Sequence, residues 1–148
     1  MARDTTDETA LTSVEELATY LAGGCKPKDA WRIGTEHEKF PFYTANNSPV
    51  PYGGPRGIKA ILEGMQARLG WEPIMDEGNI IGLVEPTGQG AISLEPGGQF
   101  ELSGAPLSTI HQTCREVNAH LSQVREIAEP LGIRFLGVGG SPKWTLAE

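Results

Sequence analysis

Two stretches of this sequence concentrate side chains that bind cations. One is Glu36-His37-Glu38, and the other runs from Ser93 to Ser103 as Ser-Leu-Glu-Pro-Gly-Gly-Gln-Phe-Glu-Leu-Ser. Both alternate polar with apolar residues, and in an extended strand residues at spacing two share a face. Glu36 and Glu38 therefore point the same way. In the second stretch Ser93, Glu95, Gly97, Gln99, Glu101 and Ser103 fall on one face, with Leu94, Phe100 and Leu102 on the other. Crowded carboxylates are relieved by a bound cation or by shifted pKa values. Hard oxygen donors of this kind suit Mg²⁺ or Mn²⁺, and Mg²⁺ in turn suits phosphate chemistry.

Acids on a sheet face also arise without function, because an antiparallel sheet often turns one side to water. A solvated face normally mixes bases among its acids, and the stretch from Glu95 to Glu101 contains neither Lys nor Arg. In the first stretch Arg32 falls on the face of Glu36 and Glu38, so an ordinary ion pair remains open there. The glycines after Glu95 also have two readings. They mark a bulge, or they let a substrate approach the backbone between two carboxylates.

The elements that must position these residues follow from pattern and punctuation. Residues 1–12 read as a disordered leader. Ser13 and Glu16 form a capping box for a helix with Val14, Leu17, Tyr20 and Leu21 on one side, ended by Gly23-Gly24. Trp31 to Phe42 reads as the first strand, and residues 44–55 as a loop rich in Asn, Ser, Pro and Gly. A second helix spans Arg56 to Leu69 with Gly70 at its C′ position. Ile80 to Val84 and Ala91 to Ser103 read as two strands of a hairpin. The longest helix carries an apolar stripe of Leu107, Ile110, Cys114, Val117, Leu121, Val124 and Ala128, which places Cys114 in the core. Helices and strands that do not alternate strictly imply an α+β fold, with helices on one face of an antiparallel sheet and the acidic shelf on the other.

Composition narrows the function classes. The 148 residues are 39% hydrophobic and carry a formal net charge of -7, which argues against nucleic acid as the main partner. No apolar run reaches membrane-spanning length. The acidic, polar N-terminus has neither the apolar core of a signal peptide nor the basic character of a transit peptide. Cys25 and Cys114 lack CxxC spacing and read as free thiols of a reducing compartment. The expected location is the cytosol. His37 points away from the shelf, and His111 and His120, nine residues apart on one helix, make no two-histidine metal site and read as surface or interfacial residues. There is no P-loop and no strand-to-helix GxGxxG.

Several longer motifs carry a resemblance. Trp31 to Phe40 (WRIGTEHEKF) and Ser93 to Gly104 (SLEPGGQFELSG) closely resemble the glutamate–cysteine ligase family of the plant and proteobacterial type. The similarity continues through Ala105-Pro106-Leu107, His111-Gln112-Thr113-Cys114 and Glu116-Val117-Asn118 to Pro142-Lys143-Trp144. It implies a glutamine synthetase-like fold, and a reaction in which ATP phosphorylates the γ-carboxylate of L-glutamate and the amine of L-cysteine displaces phosphate. The product would be γ-glutamylcysteine, the first step of glutathione synthesis. By the same resemblance Glu36 and Glu38 bind metal, Glu95 and Glu101 bind metal or substrate, and Gln99 belongs to the neighbouring substrate-binding shell. Arg32 and Lys39, with Arg56, are the few bases available for ATP phosphates.

The family's chains are roughly three times longer, by resemblance rather than by domain size. After the strand Ile133 to Val138 the sequence enters a loop without a closing element. Residues 13–148 are therefore expected to be the N-terminal part of a ligase catalytic domain, joined to a remainder that carries most phosphate-binding bases. The acceptor amine is fixed by the resemblance alone. A γ-glutamyl ligase for another amine, or a non-catalytic module that binds metal or amino acid, are the alternatives.

Overall fold

Among the described residues, alternating hydrophobicity builds six strands: β1 (Glu36–Tyr43), β2 (Glu72–Asp76), β3 (Asn79–Val84), β4 (Ala91–Glu95), β5 (Gln99–Ser103) and β6 (Ile133–Leu136). They form one antiparallel sheet in the order β2-β3-β4-β5-β1-β6. The computed structural model describes residues 9–143. Residues 1–8 of the expected leader, and Trp144 of the Pro-Lys-Trp motif, lie outside that range.

The chain divides into two compact units, Met1–Arg32 and Ile33–Glu148. In the first, helix α1 (Val14–Gly23) is capped by Ser13, whose hydroxyl accepts the Glu16 N–H at 3.1 Å. The Glu16 carboxylate accepts from the Thr12 N–H at 2.7 Å, so the second half of the expected box is made one residue earlier. No residue of α1 is buried. The first strand was expected from Trp31 but begins at Glu36. A short helical turn over Lys28–Ala30 precedes Trp31, and the Arg32 guanidinium donates to the carbonyls of Asp29 and Trp31. Arg32 thus lies outside β1 and does not share the strand face of Glu36 and Glu38.

In the second unit, α2 (Ile58–Leu69) and α3 (Ile110–Ala128) cover one side of the sheet. Ile58, Ile61, Leu62 and Met65 of α2 join Leu83, Ile92, Phe100, Leu102 and Ile133 in a single core. Gly70, at φ +69°, closes α2 in the left-handed conformation that glycine favours. Thr109 and Gln112 make a reciprocal capping box for α3. The buried side of α3 differs from the expected stripe: Thr113, His120, Val124 and Ala128 face inward, whereas Ile110 is 63% exposed and Cys114 is exposed. The two patterns share only Val124 and Ala128, in the C-terminal turns. His120, expected at a surface or interface, is therefore a core residue.

Two basic side chains lie in this core. Lys39 is fully buried, its Nζ donating to the carbonyls of His37 (3.2 Å) and Phe100 (3.3 Å) and lying over the Phe100 ring. Burial pushes its ammonium down to about 7, with Glu101 opposing the shift. His120 stacks on Phe100, and burial, reinforced by the nearby Lys39 and His37 charges, pushes it down to about 3.

A depressed Lys39 pKa means that the folded state binds this proton less tightly than the unfolded chain. Stability is gained as pH rises from about 7 toward the unfolded lysine value and is absent below it. Lys39→Met keeps the volume and removes the buried charge. It should raise stability by roughly 1–4 kcal/mol at pH 6, with the gain shrinking above pH 7. Urea unfolding across that range measures it, and a variant destabilised equally at every pH would contradict the assignment.

Candidate functional site

The strand register brings the acidic residues together. Glu36 lies opposite Ser103 and Glu38 opposite Glu101 across the β1–β5 pair. Ser93 lies opposite Glu101 and Glu95 opposite Gln99 across the β4–β5 pair. Directly opposed residues share a face, so Glu36, Glu38, Glu95, Gln99 and Glu101 occupy the side of the sheet away from α2 and α3.

The sequence from Ala91 to Ser103 was expected as one strand, and the structure folds it into the hairpin β4–β5. Pro96-Gly97-Gly98 makes the turn, with Gly97 at φ +76° and Gly98 at φ +74°. Two consecutive left-handed residues explain the paired glycines. Three turn residues preserve the odd-numbered face, so Glu95, Gln99 and Glu101 remain on one side. They now crowd across two strands instead of spreading along one.

Hydrogen bonds fix the shelf. Ser93 Oγ donates to Glu101 Oε2 at 2.7 Å, Ser103 Oγ to Glu36 Oε2 at 3.2 Å, and Gln99 Nε2 to Glu38 Oε2 at 2.9 Å. Glu101 is 5% exposed, whereas Glu36 and Glu38 are exposed. A hydrogen bond with Glu101, then burial, then the Glu101 charge raise the Glu36 pKa. Burial acts upward on Glu101 too, but hydrogen bonds from Glu36, Ser93 and Glu95 outweigh it and leave Glu101 lowered. Glu36 is thus the protonated partner when this pair shares a proton.

The expected site residues separate into two groups. Glu36, Glu38, Glu95, Glu101 and Gln99 share the shelf. Lys39, expected at ATP phosphates, points into the core behind it, because the alternation that turns Glu38 outward turns its neighbour inward. Arg32 belongs to the N-terminal unit, and Arg56 donates to the Leu131 carbonyl with its guanidinium over the Tyr43 ring. Among the described residues no three His, Cys, Asp or Glu side chains converge into a ready metal cage. The carboxylates meet in pairs, and their oxygen-only donor set fits a hard divalent cation. Sequence reasoning missed that Phe40 and Phe42 continue this face of β1 beyond Glu38, although the same alternation contains them.

A family model described as Glutamate-cysteine ligase family 2 matches residues 32–148. Glutamate--cysteine ligase A, chloroplastic, from Oryza sativa subsp. japonica is 55% identical over 134 residues, covering 90% of this chain and 26% of the relative. The chloroplastic ligase of Nicotiana tabacum is 56% identical over 134 residues, covering 90% and 25%. That of Arabidopsis thaliana is 56% identical over 130 residues, covering 88% and 24%. The chain therefore spans about a quarter of the length of these relatives. Their names place these relatives in the chloroplast, which overturns the cytosolic expectation. That expectation rested on leader composition and unpaired thiols, and neither distinguishes a cytosol from an organelle.

The opposite shifts of Glu36 and Glu101 give a direct test. Glu101→Gln removes the opposing charge and the carboxylate that accepts from Glu36. The Glu36 pKa should then fall toward the ordinary glutamate value, read by ¹³C-detected NMR of the side-chain carboxyl. An unchanged Glu36 titration would show that the two groups do not interact.

Proposed function

The chain belongs to glutamate–cysteine ligase family 2, and from that membership we propose that it supplies the metal-binding sheet face of an ATP-dependent ligase. The reaction joins the γ-carboxylate of L-glutamate to the amine of L-cysteine and makes γ-glutamylcysteine. Residues 13–148 belong in this reading to the catalytic domain, with the rest of the site on further polypeptide. The observation that carries it is the register that sets Glu36 and Glu38 against Ser103 and Glu101, within the stretch the family model covers.

Phosphoryl transfer asks a protein for positioning and for charge neutralisation more than for covalent chemistry. Glu36, Glu38 and Glu101 would hold Mg²⁺ or Mn²⁺, with Glu95 at the hairpin end. The ion, when bound, neutralises phosphate oxygens and orients the nucleotide. Gln99 fixes the Glu38 carboxylate by donating to Oε2, and its carbonyl oxygen is left to a substrate ammonium or amide. Ser93 and Ser103 hold Glu101 and Glu36 in the same way. Transfer of the γ-phosphoryl group to glutamate gives an acyl phosphate and ADP. Attack of the cysteine amine on that acyl carbon then forms the amide and expels phosphate.

Mn²⁺ binding followed by EPR tests the shelf on the chain itself, and γ-glutamylcysteine with ADP tests the reaction on the native polypeptide that carries it. Glu38→Gln should weaken Mn²⁺ binding by about tenfold or more and lower turnover, with an unchanged circular dichroism spectrum. Equal Mn²⁺ binding and equal turnover in the variant would remove the metal role from this face.

A further inference from the structure

One face of β1 changes character along its length. Glu36 and Glu38 lead into Phe40 and Phe42 on the same side. Phe40 lies opposite Leu136 across the β1–β6 pair. It is 8% exposed yet stands outside the core cluster beneath the helices, so it is covered on the shelf side. Phe40, Phe42 and Leu136, with Pro49, Pro142 and Asn47, wall a cavity of about 180 Å³. This cavity begins where the carboxylates end.

We propose that this cavity is the nucleobase pocket of the site and takes the adenine ring of ATP. The inference rests on the ligase reading for its ligand and goes beyond it in assigning residues. Three observations support it. The walls are mostly rings and aliphatic side chains, which suit the flat apolar faces of a purine better than the zwitterionic head group of glutamate or cysteine. Asn47 lines the cavity together with the polar side chains of Ser141 and Lys143, and it is held at φ +55° with its N–H donating to the Tyr43 carbonyl. An Asn amide presents one donor and one acceptor, the complement of an adenine edge. Four residues of strand separate Glu38 from Phe42, about 13 Å, so a purine beside Phe42 leaves its phosphate chain running along β1 toward the carboxylates. The Lys143 Nζ donates to the Asn46 carbonyl beside it.

The probe is adenosine, which has no phosphate and needs no metal, titrated into the 148-residue chain by ligand-detected NMR. Phe42→Ala should weaken it by roughly 5- to 100-fold, the range for a lost stacking wall. Phe42→Leu keeps bulk without an aromatic face and should weaken it less, which guards against a folding artefact. Asn47→Gly preserves the left-handed backbone and removes the amide. It should weaken adenosine but not purine riboside, which lacks the 6-amino group. Glu38→Gln should leave adenosine binding unchanged while weakening Mn²⁺. Adenosine that does not bind, that binds all variants equally, or that is displaced by L-glutamate or L-cysteine overturns the assignment. Mn²⁺ bound at the shelf with adenosine rejected sinks the pocket and spares the ligase. Adenosine obeying Phe42 and Asn47 while Mn²⁺ ignores the shelf upholds the pocket and sinks the metal role.

Discussion

Glu38 and Glu101 face each other across a single rung of the sheet, and the rest of the site is arranged around that juxtaposition. Like charges directly opposed weaken a strand pair. Here hydrogen bonds from Gln99 and Ser93 hold the two carboxylates from the front. Lys39 ties the same two strands from behind, through the carbonyls of His37 and Phe100. The ammonium is buried at a cost in desolvation, and it lies one residue from Glu38. The back of the sheet therefore holds a buried ammonium within its packing surface, with the rings of His37 and His120 beside it.

β1 is amphipathic in two directions. Across the strand it separates the core from the shelf, and along the strand its shelf side passes from carboxylate to aromatic. A ligand with an anionic, metal-seeking end and a flat apolar end matches that gradient. The neighbouring strands sharpen it. β5 contributes Glu101 and Gln99 beside the acidic half, and β6 contributes Leu136 beside the aromatic half.

Much of this was readable from residue order, because period-two alternation is local and strong. It placed Glu36, Glu38, Glu95, Gln99 and Glu101 on one face before any pairing was known. The same rule, applied to Lys39 as it was to His37, would have turned it inward. The hairpin at Pro96-Gly98 is a sequence signal too, but bulge and turn look alike without knowledge of the partner strand. The face of α3 was not readable. Its apolar stripe and its buried side diverge at the N-terminal half, where Thr113 and His120 pack inward and Ile110 does not. Periodicity reports where apolar side chains are, while the surface that each helix meets is a tertiary property. The Glu36–Glu101 hydrogen bond likewise needed the β1–β5 register, which joins residues more than sixty positions apart.

That separation governs the order in which the protein can assemble. β2 to β5 form a meander of neighbouring hairpins, whose closures span few residues and come early. β1 precedes them in the chain yet occupies a place between β5 and β6. It can be seated only after a long loop closes, and β6 can add only against β1. The carboxylates of Glu36 and Glu38 therefore reach Glu101 in the slow, non-local phase of folding. Until then a nascent chain displays the bare edge of β5, with Glu101 and Gln99 along it.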